Sequence, residues 1–242
     1  MTVAAEEILE TILAELERDA RVNLHDYPIS ASVNDSTLTL QGEVENIAAK
    51  KIAAATARRL YRQGPVTDQL RVSASDPHNE GVLRDEVVTS FIEEPVFTEY
   101  SLSLLRGGRT EVLRDGRDDE HGHIDVTIDD GLVSLAGRVG SLTHRRLAEV
   151  LMWWTAGCQV VENRLEVVPP EEDNDGELTD AVLMALEKDP LVHASQLSVH
   201  ARDGVVTLDG YVASAEEQRL AVLDAWTVPD VKDVVDRIQA HG

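Results

Sequence analysis

The chain has 242 residues, of which 43% are apolar but only 4% aromatic, so its cores must be built from aliphatic side chains. The net charge of −23 at pH 7 argues against general binding to nucleic acids, because an acidic protein repels phosphate. No apolar run approaches the roughly 18 residues of a membrane-spanning helix, and the N-terminus lacks the pattern of a secretory signal. The sequence as written therefore predicts a cytoplasmic protein, or a periplasmic one if a signal sequence was removed.

The acidic charge is distributed unevenly along the chain. Breaks in composition at Asp76-Pro77 and Pro169-Pro170 divide it into residues 1–75, 76–170 and 171–242. The first segment has 8 basic and 11 acidic side chains, a net charge of −3, whereas the other two carry −9 and −11. Any contact with an anionic partner is therefore expected in the first segment.

Each segment begins with an amphipathic pattern that predicts a helix. Apolar side chains recur three and four positions apart over Glu6–Arg18, Val82–Ile92 and Leu178–Lys188. Two alternating runs follow each helix, and turn-forming residues such as Asp130-Gly131 and Asp203-Gly204 separate them. The pattern predicts a β-hairpin after each helix.

The second strand of each hairpin has the same sequence pattern in all three segments. It reads apolar-x-Leu-x-Gly-x-Val, over Leu38–Val44, Val133–Val139 and Val206–Val212. Glycine inside a strand usually marks a bulge or a close approach of another backbone. We therefore expect equivalent structural roles for the three glycines, Gly42, Gly137 and Gly210.

After each glycine the apolar period changes from two to about 3.6 residues, which predicts a second helix. A third short strand is predicted in each segment, at Asp68–Val72, Val161–Val167 and Val234–Ile238. The predicted fold is therefore α+β, with three tandem αββαβ units. Each unit is expected to form a small three-stranded sheet with two helices on one face.

This unit resembles the BON domain, and the resemblance covers nearly the whole chain. Its best evidence is the glycine triplet, with the Val/Leu-x-Leu run before it and the valine two residues after it. The resemblance implies a non-catalytic interaction module for phospholipid surfaces or envelope partners, linked to osmotic stress and membrane maintenance. Some members of the family are similar to potassium sensors. We call residues 1–75, 76–170 and 171–242 repeats 1, 2 and 3.

Repeat 2 contains an insertion at about residues 95–121, between its first helix and its hairpin. The stretch Tyr100–Leu113, with Gly107-Gly108 at its centre, predicts either an additional hairpin or a long irregular arm. Insertions of this length are often functional or disordered. This one is a candidate to pack on a neighbouring repeat or on a second chain.

The second helix of repeat 1 carries a cationic stripe beside its core-facing side. Such a cluster can hold phosphate or anionic lipid head groups. The alternative is an ordinary solvated face. The candidate contact residues are Lys50, Lys51, Arg58, Arg59 and Arg62.

Three tryptophans are candidate interface residues. Trp153 and Trp154 are adjacent on the second helix of repeat 2, where neighbouring side chains diverge by about 100°, so both can hardly enter one core. Trp226 occupies in repeat 3 the place of Trp153. Exposed tryptophan tends to mark interfaces, so we expect contact between repeats or between chains, with membrane insertion as the alternative.

The signals for bound cations are weak. His121, His123 and Asp125 could supply metal ligands from one side of a strand, but the same residues fit a polar loop that leads into the strand. Asp129-Asp130 and Asp203 suit a hard cation such as Ca²⁺, although aspartate in a turn normally serves turn geometry. We therefore predict no metal site.

The sequence contains none of the common catalytic or nucleotide-binding motifs. Cys158, its one cysteine, is expected to be a buried and inert thiol. We therefore predict no enzyme activity, no catalytic residues and no cofactor.

Three functions remain open. The first is a non-catalytic protein that binds phospholipid or envelope partners in a stress response. The second is a cytoplasmic stress protein that responds to a cation or another ligand, and the third is a structural scaffold that oligomerises. A protein partner or self-association is expected, phospholipid is a possible partner, and nucleic acid is not expected.

Overall fold

The computed structural model describes residues 3–74, 79–116 and 122–241. The chain forms two compact units, residues 1–73 and 74–242. The second unit therefore contains both repeat 2 and repeat 3. The predicted break at Asp76-Pro77 and the candidate ligand His121 lie outside the described residues. No helix in these ranges is both long and apolar enough to cross a bilayer.

Repeat 1 has the predicted αββαβ order. Its elements are α1 Val3–Arg18, β1 Ile29–Asn34, β2 Thr37–Val44, α2 Ile47–Leu60 and β3 Val66–Val72. The central strand β2 is antiparallel to β1 and parallel to β3. Leu38 and Leu40 alternate with polar residues along β2 and are fully buried, as are Ile12 and Leu16 of α1. Sheet and helices therefore share one aliphatic core, because only one face of the sheet is apolar.

Repeat 2 contains the same order with two more strands. Its elements are α3 Glu80–Glu93, a 3₁₀ turn Pro95–Phe97, β4 Ser101–Arg106, β5 Arg109–Arg114, β6 His123–Asp129, β7 Leu132–Val139, α4 Leu142–Trp154 and β8 Val160–Val167. The sheet order is β5-β4-β6-β7-β8.

Repeat 3 returns to the three-stranded form. Its elements are α5 Asp175–Lys188, a 3₁₀ turn Ala194–Gln196, β9 Leu197–Arg202, β10 Val205–Val212, α6 Ala215–Thr227 and β11 Asp233–Ala240. The strand β10 is central, antiparallel to β9 and parallel to β11. The α+β class and the three αββαβ units are thus confirmed.

The insertion in repeat 2 is a hairpin. β4 and β5 pair antiparallel around Gly107-Gly108, and β4 also pairs in parallel with β6 of the same repeat. The expectation of three strands in every repeat is therefore corrected to five for repeat 2. The physical reason is the alternating apolar face of β4, whose Leu102 and Leu104 are buried in the core of repeat 2.

Aromatic side chains attach the start of this hairpin to repeat 2. The rings of Phe97 and Tyr100 meet edge to face, with centroids 5.6 Å apart. The Tyr100 hydroxyl lies 2.7 Å from Nδ1 of His144 on α4 and accepts a hydrogen bond from the backbone N–H of Gly140. The Arg114 guanidinium donates to the backbone carbonyls of Phe97 and Tyr100. Through these contacts the insertion packs on its own repeat.

Candidate functional site

The three strand glycines lie in equivalent surroundings. Their φ angles are +133°, +119° and +137° for Gly42, Gly137 and Gly210, in the region that side chains rarely adopt. A Cβ atom there would lie 2.6, 2.2 and 2.2 Å from a carbonyl oxygen at the start of the preceding strand. The oxygens belong to Pro28, His123 and Gln196. These glycines shape the hairpins and offer no side chain to a ligand.

The hairpin turns place their aspartates by backbone geometry. Asp130 and Asp203 have positive φ, and their backbone N–H groups donate to carboxylates at the start of the preceding first helix, those of Glu80 and Asp175, each at 3.1 Å. The Lys232 ammonium already donates to the carbonyl of Asp203. Within the described ranges, no three His, Cys, Asp or Glu side chains are grouped to hold a metal ion.

Lys50 is turned toward the sheet of repeat 1. Its Nζ atom lies 3.0 Å from Oδ2 of Asp68 and donates to the carbonyl oxygen of Leu70, both on β3. Only 12% of its side chain is exposed. Lys50 therefore fastens α2 to β3, and its ammonium faces the sheet instead of the solvent. Lys51 is half-buried.

The arginines at the C-terminal end of α2 are exposed. Arg58, Arg59 and Arg62 all reach solvent, and 56% of the Arg59 side chain is accessible. Glu15 on α1 lies between cations, with its carboxylate 3.3 Å from both Arg59 and Arg18. The Nε atom of Arg62 donates to the carbonyl of Arg59. We name Arg18, Arg58, Arg59 and Arg62 the arginine cluster.

The tryptophans occupy three different environments. Trp226 is fully buried in repeat 3, so it is not available to a second chain. Trp154 packs against the core of repeat 2, and Met184 from α5 of repeat 3 packs against the same core. The indole of Trp154 also faces Asp224 of α6. Trp153 is half-buried, with its Nε1 atom 3.4 Å from the Glu149 carboxylate. The structure thus places Trp154 between two repeats.

The packing of repeat 2 on repeat 3 is held by a buried cation. Arg146 on α4 is only 2% exposed, and its Nη2 atom contacts the carboxylates of Asp173 and Asp230 at 2.7 and 3.2 Å. Its Nε and Nη1 atoms have no hydrogen-bond partner within the described ranges. Asp173 precedes α5 and Asp230 follows α6, so both partners come from the far side of the junction.

Cys158 is buried at the end of repeat 2, where its thiol lies 3.7 Å from the carbonyl oxygen of Val160. Burial raises the pKa of this thiol to about 12, because the thiolate would lose its hydration. A protonated, covered thiol is a poor nucleophile.

A family model described as the BON domain matches three regions of the chain, residues 4–74, 109–169 and 174–241. The second region begins at β5 and leaves out α3, the helix that the insertion separates from the rest of repeat 2. No curated protein gives a significant match.

Solved structures with distant similarity include two of CdsD, a structural protein of the type III secretion system of Chlamydia trachomatis. The C-terminal domain of CdsD is 14% identical, with 100% of both chains covered and a TM-score of 0.25. The other CdsD structure is 14% identical, with 96% of this chain and 91% of that chain covered and a TM-score of 0.24. The PrgH periplasmic domain is 12% identical, with 90% and 96% covered and a TM-score of 0.21.

Proposed function

Because the chain belongs to the BON domain family and contains three copies of the domain, we propose that it is a non-catalytic interaction protein whose first repeat binds anionic phospholipid head groups. The observation that carries this proposal is the arginine cluster of repeat 1. From family membership we also infer a role in envelope maintenance under osmotic stress. A head-group contact of this kind is compatible with both locations expected from the sequence, the cytoplasm or, if a signal sequence was removed, the periplasm.

The chemistry of the arginine cluster suits phosphate esters. A guanidinium presents paired N–H donors to phosphate oxygens and keeps its charge at every physiological pH. Each basic residue near an anionic surface contributes about 1 kcal/mol, so four arginines support a weak, reversible contact. Glu15 reduces this attraction, because it lies between Arg18 and Arg59.

The distribution of charge favours a local contact. Repeat 1 has a net charge of −3 out of −23 for the whole chain, so the repulsion from an anionic surface is smallest there. Charges separated by more than about 8 Å are largely screened at physiological salt. The remaining acidic repeats therefore weaken the contact of repeat 1 less than their total charge implies. Binding should decrease steeply with added salt.

We prefer this function to cation sensing because hydrogen bonds of the backbone groups already hold the turns that contain Asp130 and Asp203. The ammonium of Lys232 contacts the Asp203 turn, and backbone N–H groups of both turns are bonded to carboxylates. These contacts explain the positions of the aspartates without a bound ion.

Vesicle flotation of the full chain tests the proposal. We expect binding to phosphatidylcholine vesicles that contain phosphatidylglycerol, no binding to pure phosphatidylcholine, and loss of binding at high salt. The triple variant Arg58→Gln, Arg59→Gln, Arg62→Gln should stay with the unbound protein. A matched control removes three exposed arginines from repeats 2 and 3, Arg164→Gln, Arg202→Gln, Arg237→Gln, and should float like the unmodified chain. Absence of flotation with both vesicle types, or equal loss in both triple variants, would remove the proposal.

A further inference from the structure

An acidic residue follows or ends the first helix of every repeat. In each case its carboxylate accepts a hydrogen bond from the backbone N–H two residues later, at 3.0, 3.1 and 2.8 Å in repeats 1, 2 and 3. The three side chains therefore occupy equivalent places. They are Asp19, Glu94 and Asp189.

In repeats 1 and 2 this carboxylate faces a cation. Asp19 pairs with the Arg21 guanidinium at 2.8 Å, and this partner lowers the pKa of Asp19. Glu94 pairs with Nζ of Lys188 at 2.7 Å, and Lys188 reaches it from repeat 3. Both pairs neutralise the negative charge, as expected where a carboxylate is partly desolvated.

In repeat 3 the same place faces a second acid. The Asp189 carboxyl is the charged neighbour of the Asp224 carboxyl on α6, close enough for the two to share a hydrogen bond when one of them is protonated. Leu191 stands where repeat 1 has Arg21, so the turn supplies no guanidinium. Counted from the strand glycine, the positions that match Asp224 are Thr56 and Leu151, so this acid pair is particular to repeat 3.

Asp224 is enclosed by the helices that join repeats 2 and 3. It is 5% exposed, and no group in the described part of the chain donates a hydrogen bond to its Oδ2 atom. From α4, the indole of Trp154 approaches the carboxyl, and Asp189, the residue that follows α5, is its charged neighbour. On α6 itself, the Thr227 hydroxyl donates to the Asp224 backbone carbonyl. β10 and β11 also pack on α6, and Asp236 of β11 accepts a hydrogen bond from Gln218 of α6, but among the described residues neither strand supplies a charged neighbour to the Asp224 carboxyl.

Two carboxylates in contact at a buried site cannot both be charged without a large cost. Asp189 is half-exposed, whereas only 5% of Asp224 is exposed, so a negative charge on Asp224 would lose more hydration. The proton therefore resides on Asp224, the more buried of the two. Burial, followed by the charge and hydrogen bond of Asp189, raises the pKa of Asp224 to about 8.

We propose that the junction of repeats 2 and 3 is a proton-controlled joint, in which protonated Asp224 links α6 to Asp189, the residue that follows α5, beneath Trp154 of α4. When Asp224 loses its proton, two negative charges lie side by side and the Trp154 end of α4 moves away from repeat 3. The pKa of Asp224 is raised in the folded chain, so the stabilisation is complete below about pH 4, its ordinary pKa, and is lost as pH rises through about 8. Acidification therefore closes the joint.

Tryptophan emission of the full chain, followed from about pH 6 to about pH 9.5, tests the joint. We expect a transition with a midpoint near pH 8, because Trp154 lies beside the group that ionises. Asp224→Asn should abolish the transition. The control Asp180→Asn removes an exposed carboxylate from α5 and should keep it. Hydrogen exchange of α4 and α6, compared between the two variants at each pH, should differ severalfold above the midpoint and agree below it.

A second variant keeps the test decisive where Asp224→Asn does not fold. Asp189→Asn removes the neighbouring charge and should lower the midpoint by about one pH unit. Trp154→Phe should remove most of the optical change while the exchange transition persists. The proposal would be overturned by emission and exchange profiles that do not change with pH in the unmodified chain. It would also be overturned if Asp224→Asn kept the same transition, or if the midpoint in Asp189→Asn did not shift.

Discussion

The Nη2 atom of Arg146 lies 2.7 Å from Oδ2 of Asp173, so an almost fully buried guanidinium on α4 is paired with a carboxylate that is 46% exposed. Its second partner, Asp230, is 60% exposed. The pair is therefore asymmetric. Without the carboxylates the cation stays buried and unpaired, whereas without the cation the carboxylates can be hydrated.

This asymmetry predicts unequal effects of removing the two sides. The double variant Asp173→Asn, Asp230→Asn should lower the free energy of unfolding by about 2 to 3 kcal/mol, because it leaves a buried charge without a counterion. Arg146→Met should change it by less than about 1 kcal/mol, since methionine fills the space of the arginine stem and removes two nitrogen atoms that have no hydrogen-bond partner among the described residues. Urea unfolding measures both values.

An exposed ion pair supplies the control for Arg146. Arg219→Met breaks a pair with Glu216 in which both side chains are more than half exposed, and it should cost less than about 0.5 kcal/mol. If Arg146→Met destabilised the chain as much as the double aspartate variant, the buried cation would contribute net stability and the prediction would be wrong.

Gly137→Ala should destabilise repeat 2 strongly. The new Cβ would lie 2.2 Å from the His123 carbonyl oxygen, and the backbone already has a φ of +119°. Strand separation or a forced change in φ should cost about 2 to 4 kcal/mol, which a shift in the denaturant midpoint would measure. Gly81→Ala is the matched control, because its Cβ meets only the Asn79 side chain at 3.6 Å and alanine favours α3. Equal effects of the two substitutions would contradict this account.

The hairpins and their glycines were predictable because each depends on residues close together in the sequence. Alternation, an Asp-Gly turn and one strand glycine define a hairpin locally, and three occurrences in register define the repeat. The insertion could not be decided in this way. Gly107-Gly108 fits a hairpin and an arm equally well, and the pairing of β4 with β6 was decided by long-range packing of Leu102 and Leu104.

The environment of the basic side chains was not predictable from periodicity. Lys50 and Arg146 both lie beside the apolar stripe of their helices, and such a position is compatible with solvent or with a buried ion pair. Whether the cation is buried depends on whether a carboxylate lies within its reach. Asp68 lies on β3, and Asp173 lies in the segment before α5, so neither partner is visible in the helix pattern. A long, flexible stem allows each cation to reach its carboxylate.

Acid should weaken the contact between the insertion and α4. Burial lowers the pKa of His144, and the nearby Glu171 raises it to a smaller extent. The unfolded chain, with the ordinary histidine pKa of about 6.5, binds more protons below that pH than the folded one, so stability falls as pH decreases from about 6.5. The Tyr100 hydroxyl can donate to Nδ1 of His144 only while that nitrogen carries no proton, so protonation at Nδ1 removes this form of the contact.

Side-chain NMR can follow the His144 imidazole in the full chain. We expect its midpoint below that of histidine in an unfolded peptide, and a further decrease in Glu171→Gln because an attractive charge is removed. Tyr100→Phe serves as the comparison, since it removes the hydroxyl and leaves the aromatic packing. A His144 midpoint at or above the peptide value would show that the ring is not desolvated by the insertion.

Cys158 should not react with a thiol reagent in the native chain. Its pKa of about 12 leaves less than about one thiolate in a thousand at pH 8, and its side chain is 6% exposed. We expect Ellman's reagent to label no cysteine in the folded protein and one per chain in guanidinium chloride, because the sequence contains a single cysteine. Labelling kinetics at increasing urea would then report the opening of repeat 2 around the end of α4. Rapid labelling without denaturant would place the thiol at the surface and exclude the buried position described for it.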